Sequence, residues 1–470
     1  MVYLPRYVAF KSKFHGLYLR YVNDEASSIH TFLASSEENV VSPYTKFELE
    51  TANCDSSLVN IRCCYNNKYL VSLSSDSSFI AAKAEKIEED KSKWACTLFK
   101  PIYDSAEKAY RFRHIYLGFD IYLLRITPVY TNCLVADSSG TCVKLCDLNT
   151  IIDWETLVTL PKHVAFKGDN GCYLRARWMN DYGFLEFETT DIGDPAVPME
   201  TFTTKDGSIR IKSNYIGKFW RRCHILNSIL AESTDVTNID SNTLFWPTKI
   251  DNNTIALRNL GNNCFVKRSS YPLVVNGLRP LVRTIDQYSK FQIEEAVISR
   301  DIYDVHFRPS DARIYDQSLL VMATGTATNK TEVPNTVGLR LKYTDTKSST
   351  WNASVSLKLG VKTKIQTKIP FFVGGEVEIS AEFSGAYQWG KSVTKSRDLE
   401  TTYHVTVPPM TSLIVSLLAT QGTCDVPYSY TQRDVLIDGE IATSHLDDGV
   451  YSGTSCYNFT YQTKKIPMPA

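Results

Sequence analysis

The sequence contains no run of about 20 consecutive apolar residues, which is the length that a transmembrane helix requires. A membrane-spanning helix is therefore not expected. The N-terminal stretch MVYLPRYVAFKSKFHG also lacks the apolar core of a secretory signal peptide. We therefore expect a cytoplasmic protein that associates with membranes only after activation, and a nucleocytoplasmic distribution stays open.

The chain also has no net charge, because 51 lysines and arginines balance 51 aspartates and glutamates. A chain without excess positive charge is a poor candidate for binding nucleic acid. Aromatic residues, in contrast, make up 12% of the chain and include 27 tyrosines. Tyrosine is common on binding faces and is also favoured in β-strands, so both explanations stand. A neutral ligand such as a sugar suits this composition.

Motifs of common enzymes and metal sites are missing. The sequence has no GxSxG, P-loop, HExxH or dinucleotide-binding motif, and no CxxC or Cys/His pattern with zinc spacing. We therefore expect no catalytic residues, no metal and no cofactor, although a carboxylate pair for glycoside hydrolysis stays as an alternative. The twelve cysteines are expected to be mostly reduced, and Cys424 and Cys456 are candidates for a disulfide in an oxidising compartment.

The first 298 residues consist of six similar repeats. Each repeat begins with a candidate strand of the pattern apolar, any, apolar, basic, at residues 8–11, 59–62, 110–113, 164–167, 209–212 and 255–258. Two further strands follow, and a fourth ends each repeat, at residues 47–49, 96–99, 143–145, 202, 244–246 and 291–293. Three repeats of four strands describe a β-trefoil. The sequence therefore predicts tandem trefoils over residues 1–150 and 151–298, joined by a short helix within residues 149–162.

The stretch from Trp351 to Trp389 alternates between two kinds of residue. Odd positions are apolar or β-favouring, even positions are polar or charged, and the alternation resumes after the apolar stretch 370–375. This period of two predicts a β-hairpin with two different faces. Each arm would have about 18 residues, whereas strands usually have roughly 3 to 10 and bilayer-spanning strands about 9 to 11. An ordinary half-buried pair of strands and a membrane-inserting hairpin both remain possible.

The membrane interpretation assigns each face of the hairpin its own surroundings. The residues expected to face lipid are Val361, Ile365, Ile369, Phe371, Phe372, Val377, Ile379 and Phe383. The residues expected to face the lumen are Lys358, Lys362, Lys364, Lys368, Glu376, Glu378 and Glu382. Matching the faces places Lys368 opposite Glu378 and Lys364 opposite Glu382. The hairpin belongs to an antiparallel β module expected over residues 299–470.

Several motifs resemble known families. The tandem trefoils, with CCYNNKYLV from Cys63 and SKWACTLF from Ser92, resemble the plant agglutinins of the amaranthin type. The remainder, with VMATGTATN, KYTDTKSSTW, GVKTKI and EISAEFSGAYQWG, is similar to the aerolysin-type pore-forming module that some plant agglutinins carry. The resemblance implies an all-β chain, with two tandem β-trefoil domains followed by an elongated antiparallel aerolysin-like module.

The resemblance also implies a site for galactose β-linked to N-acetylgalactosamine, made between trefoils of two subunits. The family commonly uses an Asn-Trp pair before the third strand of the second repeat. The matching stretch here contains Asp76, and Ser78 and Phe79 replace that pair. Phenylalanine can stack on a sugar but lacks an indole N–H, and a core role for Phe79 is equally well supported. Trp178 and Trp220 are the candidates in the second trefoil, with core packing favoured for Trp220.

The expected function is a lectin for glycans bearing galactose or N-acetylgalactosamine, with a β-barrel pore-forming module that inserts the hairpin into target membranes in plant defence. The expected partners are such glycans, the membrane, and further copies of the chain, as a dimer in solution and a larger ring in the pore. The alternative is a non-lytic cytosolic lectin whose C-terminal β module mediates oligomerisation or interaction.

Overall fold

The computed structural model describes residues 4–24, 29–125, 130–138, 144–272, 274–352, 361, 363–373, 376–387 and 390–467. Regular structure in these residues consists of β-strands and short 3-10 helices, which confirms the predicted all-β class. No helix among them is long and apolar enough to cross a membrane. The chain forms two compact units, one including residues up to 300 and residues 433–444, the other including residues 301–352, 363–432 and 445–467.

Twelve strands of the first trefoil lie within the residues that the structure describes. They are β1 (Tyr7–Ser12), β2 (Tyr18–Asp24), β3 (Ile29–Glu37), β4 (Phe47–Thr51), β5 (Val59–Cys63), β6 (Tyr69–Ser72), β7 (Ile80–Ala84), β8 (Leu98–Asp104), β9 (Ala109–His114), β10 (Tyr122–Leu123), β11 (Leu134–Val135) and β12 (Asn149–Asp153). Strands β1, β4, β5, β8, β9 and β12 pair in that order, and β12 pairs back with β1, so they close a barrel. The hairpins β2–β3, β6–β7 and β10–β11 complete the trefoil.

The second trefoil repeats this arrangement. Its strands are β13 (His163–Lys167), β14 (Tyr173–Met179), β15 (Tyr182–Thr189), β16 (Met199–Thr203), β17 (Ile209–Ser213), β18 (Phe219–Cys223), β19 (Ser228–Ser233), β20 (Phe245–Lys249), β21 (Thr254–Asn259), β22 (Cys264–Tyr271), β23 (Val274–Val282) and β24 (Phe291–Glu295). Strands β13, β16, β17, β20, β21 and β24 close the barrel. The hairpins are β14–β15, β18–β19 and β22–β23.

Equivalent positions of the repeats meet in each barrel core. In the first trefoil, Phe10, Ile61 and Phe112 are equally spaced in the sequence and all are buried in one apolar cluster. In the second, Trp220 is buried in a similar cluster, and its ring centroid lies 5.2 Å from that of Phe166. Burial of these large side chains supplies most of the driving force for each trefoil.

The predicted strand at residues 143–145 is corrected to β12 at Asn149–Asp153, since residues 144–145 form a turn and residue 143 lies outside the described residues. The predicted helix over residues 149–162 is also wrong, since β12 is followed by a 3-10 helix, Trp154–Thr156. The reason is a long-range one: β12 closes the barrel by pairing with β1 from Val8 to Ser12. The signal was present in the sequence, because the fourth strands begin at the equally spaced residues Phe47, Leu98 and Asn149.

The remaining strands are long and antiparallel. They are β25 (Val297–Phe307), β26 (Arg313–Asn329), β27 (Asn335–Asn352), β28 (Thr363–Val373), β29 (Glu376–Tyr387), β30 (Ser392–Val407), β31 (Thr411–Leu436) and β32 (Ile441–Pro467). Their order in the sheet is β29-β28-β25-β31-β32-β27-β30, and β26 pairs with β31. Short 3-10 helices lie elsewhere in the chain at Pro43–Thr45, Ser241–Thr243, Gln287–Ser289 and Pro309–Asp311.

Cys424 and Cys456 are buried free thiols, so the structure does not contain the disulfide that the sequence left open. Burial raises the pKa of the Cys424 thiol to about 12, which keeps it protonated and unreactive. Cys146, in contrast, is disulfide-bonded. The expectation of mostly reduced cysteines therefore has an exception at this residue.

His114 is a buried histidine at the end of β9, with no exposed surface. Its Nδ1 accepts a hydrogen bond from the backbone N–H of Leu117 at 3.2 Å, so its Nε2 carries the proton and donates to the carbonyl oxygen of Cys96 at 3.1 Å. Burial lowers the pKa of His114 from its ordinary 6.5 to about 4, although the bond to Cys96 opposes this shift. The folded first trefoil therefore requires the neutral imidazole.

We expect the protein to lose stability as the pH falls from 6.5 towards 4, because the unfolded chain then binds a proton at His114 that the folded chain does not. The loss attributable to this group is about 3 kcal/mol over that window. Unfolding curves at several pH values for the native protein and His114→Gln measure it. The variant should lose this part of the pH dependence, whereas His224→Gln, at an exposed position, should keep it. Equal pH dependence in all three proteins would contradict the assignment.

Candidate functional site

The predicted membrane hairpin is present but shorter than expected, since β28 has 11 residues and β29 has 12. The prediction of two continuous arms from Trp351 to Trp389 is wrong. Trp351 lies in β27, where it pairs with Tyr451 of β32, and its side chain is 1% exposed in a cluster with Tyr428 and Tyr451. The indole ring of Trp351 is therefore part of the apolar core of the module. Lys358, Lys362 and Trp389 lie outside the described residues.

The register of the hairpin also differs from the prediction. Lys368 pairs with Glu382 instead of Glu378, and Lys364 pairs with Ala386 instead of Glu382. The cause is that β28 continues through Pro370 to Val373, so the apolar stretch 370–375 is largely strand and not turn. An opposite-charge pair across the strands, Lys368 with Glu382, nevertheless remains.

The alternation of faces holds for the described hairpin side chains as far as Lys368 on β28 and from Glu376 to Ile379 on β29, whereas Pro370, at an even position, is buried. Ile365 is 1% exposed, Val377 and Ile379 are half-buried, and Lys364, Lys368, Glu376 and Glu378 are exposed. Val361 is half-buried but precedes the strand. The side chains of Ile369, Phe371, Phe372, Phe383 and Glu382 lie outside the described part of the chain.

A β-bulge between Ile369 and Pro370 shifts the alternation by one residue near the tip. Beyond it, Phe372 pairs with the half-buried Val377, and Phe371 pairs with the exposed Glu378. The sequence rule that every odd residue shares one face therefore ends at Ile369 on β28. A bulge leaves no direct mark in the hydrophobic pattern, although the proline within the strand is a signal for one.

The stretch with Asp76, Ser78 and Phe79 forms the connection between β6 and β7. Asp76 is exposed, and the carbonyl oxygen of Ser78 accepts a hydrogen bond from the N–H of Ala136 at 2.8 Å. The ring of Phe79 is half-buried and lies 5.3 Å from the rings of Phe32 and Tyr130. This aromatic cluster gives Phe79 a packing role. Asp76, whose side chain is exposed, is therefore the residue of this loop that is most accessible to a ligand.

Trp178 lies near the tip of the β14–β15 hairpin and is 47% exposed. The ammonium of Lys218 lies 4.8 Å from the centroid of its indole, at a distance typical of a cation–π contact. Across the hairpin, Gly183 pairs with Trp178, and a Cβ at Gly183 would come within 2.9 Å of Ile216 Cδ1 and 2.4 Å of a backbone oxygen. A glycine is therefore needed for this hairpin to pack on the turn that carries Lys218.

The same turn carries Tyr215, which is 60% exposed. The sequence analysis identified Trp178 but missed Lys218 and Tyr215, because the contact joins two different repeats of the trefoil. Exposed indole and phenol rings are the side chains that commonly stack on sugar rings. The described residues thus place an aromatic surface with one cation on the second trefoil.

Trp220, the other predicted tryptophan, is fully buried and packs against Phe166 and Phe245. It is a core residue and cannot contact a ligand at the surface, so it is removed from the candidate sugar-binding residues. Among the residues that the structure describes, no group of three or more His, Cys, Asp or Glu side chains is placed to hold a metal ion.

Two closed six-stranded barrels with three hairpins each, followed by a long-stranded sheet with a two-faced hairpin, define a tandem β-trefoil protein joined to an antiparallel β module. Residues 2–153 and 158–295 match the agglutinin domain, and the chain belongs to the agglutinin family. Residues 301–439 match the aerolysin toxin family. This combination confirms the predicted resemblance. Both are families of binding or pore-forming proteins and not of enzymes, in agreement with the sequence analysis.

Among curated proteins, the chain is 27% identical over 181 residues to Natterin-1 of Thalassophryne nattereri, covering 38% of this chain and 49% of Natterin-1. It is 29% identical over 118 residues to aerolysin of Aeromonas sobria, covering 24% of this chain and 23% of aerolysin. The chain thus spans about half or less of the length of these relatives.

Among solved structures, lamprey immune protein is similar at 12% identity and a TM-score of 0.31, over 66% of this chain and 91% of that chain. An aerolysin-like protein of Bombina maxima is similar at 15% identity and a TM-score of 0.26, over 36% of this chain and 99% of that chain. No conclusion about the present chain rests on these structural likenesses.

Proposed function

We propose that this protein is a lectin whose trefoils bind glycans bearing galactose or N-acetylgalactosamine, and whose C-terminal module forms β-barrel pores in target membranes. The observation that carries the proposal is the two-faced β28–β29 hairpin within a region that matches the aerolysin toxin family, on a chain whose first part matches the agglutinin domain. A function in plant defence, with cytoplasmic storage before release, completes the proposal.

Within this proposal, the exposed surface around Trp178 is the stronger candidate for sugar contact. The apolar face of a galactose ring can stack on the exposed part of the indole, while the packed ring of Phe79 offers less free surface. Asp76 and Ser78 on the first trefoil provide polar groups for a second site, as the agglutinin family has contacts from this loop. Two weak sites on one chain would gain from avidity on a cell surface.

We expect Trp178→Ala to weaken glycan binding about tenfold, because a stacking contact of about 1.4 kcal/mol is lost. A glycan array followed by titration with the best glycan measures the change. Trp94→Ala is the matched control, since Trp94 is also exposed, at 39%, but lies on the first trefoil between β7 and β8. The control should bind as the native protein does.

The outcome for Asp76→Ala together with Ser78→Ala locates the site. A loss of binding in this variant with none in Trp178→Ala would move the sugar site to the first trefoil. Absence of any glycan binding by the native protein would overturn the lectin proposal itself.

The alternative is a non-lytic lectin whose C-terminal module mediates oligomerisation. The two-faced exposure pattern of β28 and β29, with Lys364, Lys368, Glu376 and Glu378 exposed, suits both functions, and the match of this region to the aerolysin toxin family favours the pore. Release of a trapped dye from liposomes that display the bound glycan distinguishes the two functions. Cross-linking in solution and on liposomes tests the proposed dimer and the larger ring.

A further inference from the structure

The three hairpins of the second trefoil meet in an apolar cluster of their own, separate from the barrel core. Its members are Met179 and Phe184 of β14–β15, Cys223, Leu226 and Leu230 of β18–β19, and Tyr271 and Val274 of β22–β23. Beside this cluster, each hairpin exposes a large apolar side chain: Tyr182 is 39% exposed, Ile225 is 89% exposed and Val275 is 69% exposed. We call these three residues the tip surface.

The tip surface is separate from the candidate sugar site. The centroid of the Tyr182 ring lies 6.0 Å from that of Phe184, on the side of the hairpin that faces the cluster. Successive residues of a strand point to opposite faces, so Trp178, next to Met179 of the cluster, lies on the other side of the hairpin with Lys218. A sugar bound at Trp178 therefore does not cover the tip surface.

Two arginines meet at Asn227, in the turn of the β18–β19 hairpin. Arg222 donates from Nε to Asn227 Oδ1 at 3.3 Å, and its NH1 lies 3.1 Å from His224 Nδ1. Arg279 donates to the carbonyl oxygen of Asn227 at 3.2 Å, and its guanidinium lies 4.9 Å from the centroid of the Tyr271 ring. Neither arginine pairs with a carboxylate among the residues that the structure describes.

Carboxylates near the hairpin tips do not cancel these charges. Glu186 is paired with Arg177 at 2.8 Å. Asp181, which is exposed on the turn of β14–β15, opposes only one of the two arginines. Three apolar side chains on separate turns suit the interfacial layer of a bilayer, which yields around each of them, better than a protein partner, whose surface must match in shape. Anionic headgroups complement the excess of positive charge.

The loop between β19 and β20 provides a contrast on the same trefoil. It exposes Val236 at 78% and Ile239 at 87%. Arg221 beside this loop is shared between Glu232 and Asp240, at 3.2 and 2.8 Å. The loop therefore lacks the positive excess of the tip surface, and charge distinguishes the two exposed apolar surfaces.

We propose that the tip surface docks the second trefoil on a lipid bilayer with anionic headgroups. Tyr182, Ile225 and Val275 enter the boundary between headgroups and acyl chains. Arg222 and Arg279 contact the negative groups of the headgroups. Burial of the apolar side chains supplies the affinity, and the arginines supply the preference for anionic lipids. This docking requires no glycan, so it stands apart from the lectin function.

Co-sedimentation of the full chain with glycan-free vesicles of phosphatidylcholine, with and without phosphatidylserine, tests the proposal. Ile225→Asp combined with Val275→Asp should weaken binding to both kinds of vesicle at least about tenfold. The matched control, Val236→Asp combined with Ile239→Asp, introduces the same charges at exposed positions and should bind as the native protein does. No vesicle binding by the native protein, or equal binding by the two variants, would overturn the proposal.

The contribution of charge is tested separately. Arg222→Gln should weaken binding to vesicles with phosphatidylserine about fivefold and leave binding to pure phosphatidylcholine unchanged. Lys290→Gln, at an exposed position next to β24, should have no such effect. An equal loss on both kinds of vesicle for Arg222→Gln would show that the arginine does not contact anionic headgroups.

A site-specific measurement separates the tip surface from other parts of the chain that contact lipid. Ile225→Trp places an indole at the tip, and vesicles of brominated phosphatidylcholine quench a tryptophan that enters the bilayer. The variant should lose more fluorescence than Val236→Trp, because the seven native tryptophans are common to both proteins. Equal quenching would refute the docking. Sedimentation velocity without vesicles completes the test, since a dimer lost only in Ile225→Asp with Val275→Asp would assign the surface to a second copy.

Discussion

Arg300→Ala is expected to reduce the free energy of unfolding of the N-terminal unit by about 3 to 5 kcal/mol, because it leaves two buried carboxylates without their cation. Arg300 donates to Asp434 Oδ1 and Oδ2 at 2.7 and 2.8 Å, and to Glu295 Oε1 and Oε2 at 3.3 and 2.5 Å. All three side chains are 5 to 7% exposed. The guanidinium therefore joins the end of the second trefoil to the segment 433–444.

The effect should depend on pH in a defined direction. Burial raises the pKa of Glu295 above its usual range, and Arg300, which is shared with Asp434, only partly opposes this. A carboxyl with a higher pKa in the folded state loses stability as the pH rises through that pKa. Without Arg300 the pKa of Glu295 should rise further, so the deficit of the variant should be larger at pH 8 than at pH 5.

Chemical denaturation at the two pH values, followed by tryptophan fluorescence, to which the buried Trp220 of the second trefoil contributes, measures both effects. Arg340→Ala is the matched control, because its side chain is 79% exposed and lies 3.8 Å from Glu400 in a surface pair. Surface pairs contribute at most about 1 kcal/mol. A small loss of stability in Arg300→Ala, equal to that of the control, would show that the ion pairs of Arg300 with Glu295 and Asp434 contribute little to the free energy of unfolding.

The trefoil strands were predictable because each repeat carries its own apolar pattern at a constant spacing, as in Val8, Val59 and Tyr110. The one misplaced strand, β12, depends on pairing with β1 at the far end of the domain. The local residue pattern contains no information about this partner strand. Comparison with the other repeats does indicate where β12 begins. For the same reason, the local pattern did not show that β27 pairs with β30, which follows the hairpin segment in the sequence, and not with the hairpin itself.

The candidate site was predictable only in part, because its residues come together through contacts between repeats. Trp178 is recognisable as a tryptophan on a hairpin, but its exposure differs from that of Trp220 for reasons of packing that a single sequence does not contain. Lys218 approaches Trp178 from another repeat. The hairpin faces were predictable by the period of two as far as Ile369, where the bulge shifts the register.

Ile379→Arg is expected to abolish dye release from liposomes. In a membrane barrel the odd residues of β29 would face lipid, and an arginine near the midplane costs about 2 to 4 kcal/mol in every subunit of the ring. Ile379 is the suitable position because it is half-buried before insertion, whereas Ile365 is 1% exposed in the core and a charge there would also unfold the soluble form. The variant should therefore stay soluble and keep its glycan binding.

The matched control introduces the same residue one position earlier. Glu378→Arg places arginine on the exposed, lumen-facing side of β29, where it should leave dye release intact. Lys368→Glu, on the same side of β28, should shift the selectivity of single channels towards cations, because the lumen becomes more negative. If Ile379→Arg released dye as well as Glu378→Arg did, the side of the hairpin would not matter to permeabilisation. The hairpin would then not cross the membrane, and the C-terminal module would be left with a function in oligomerisation or interaction.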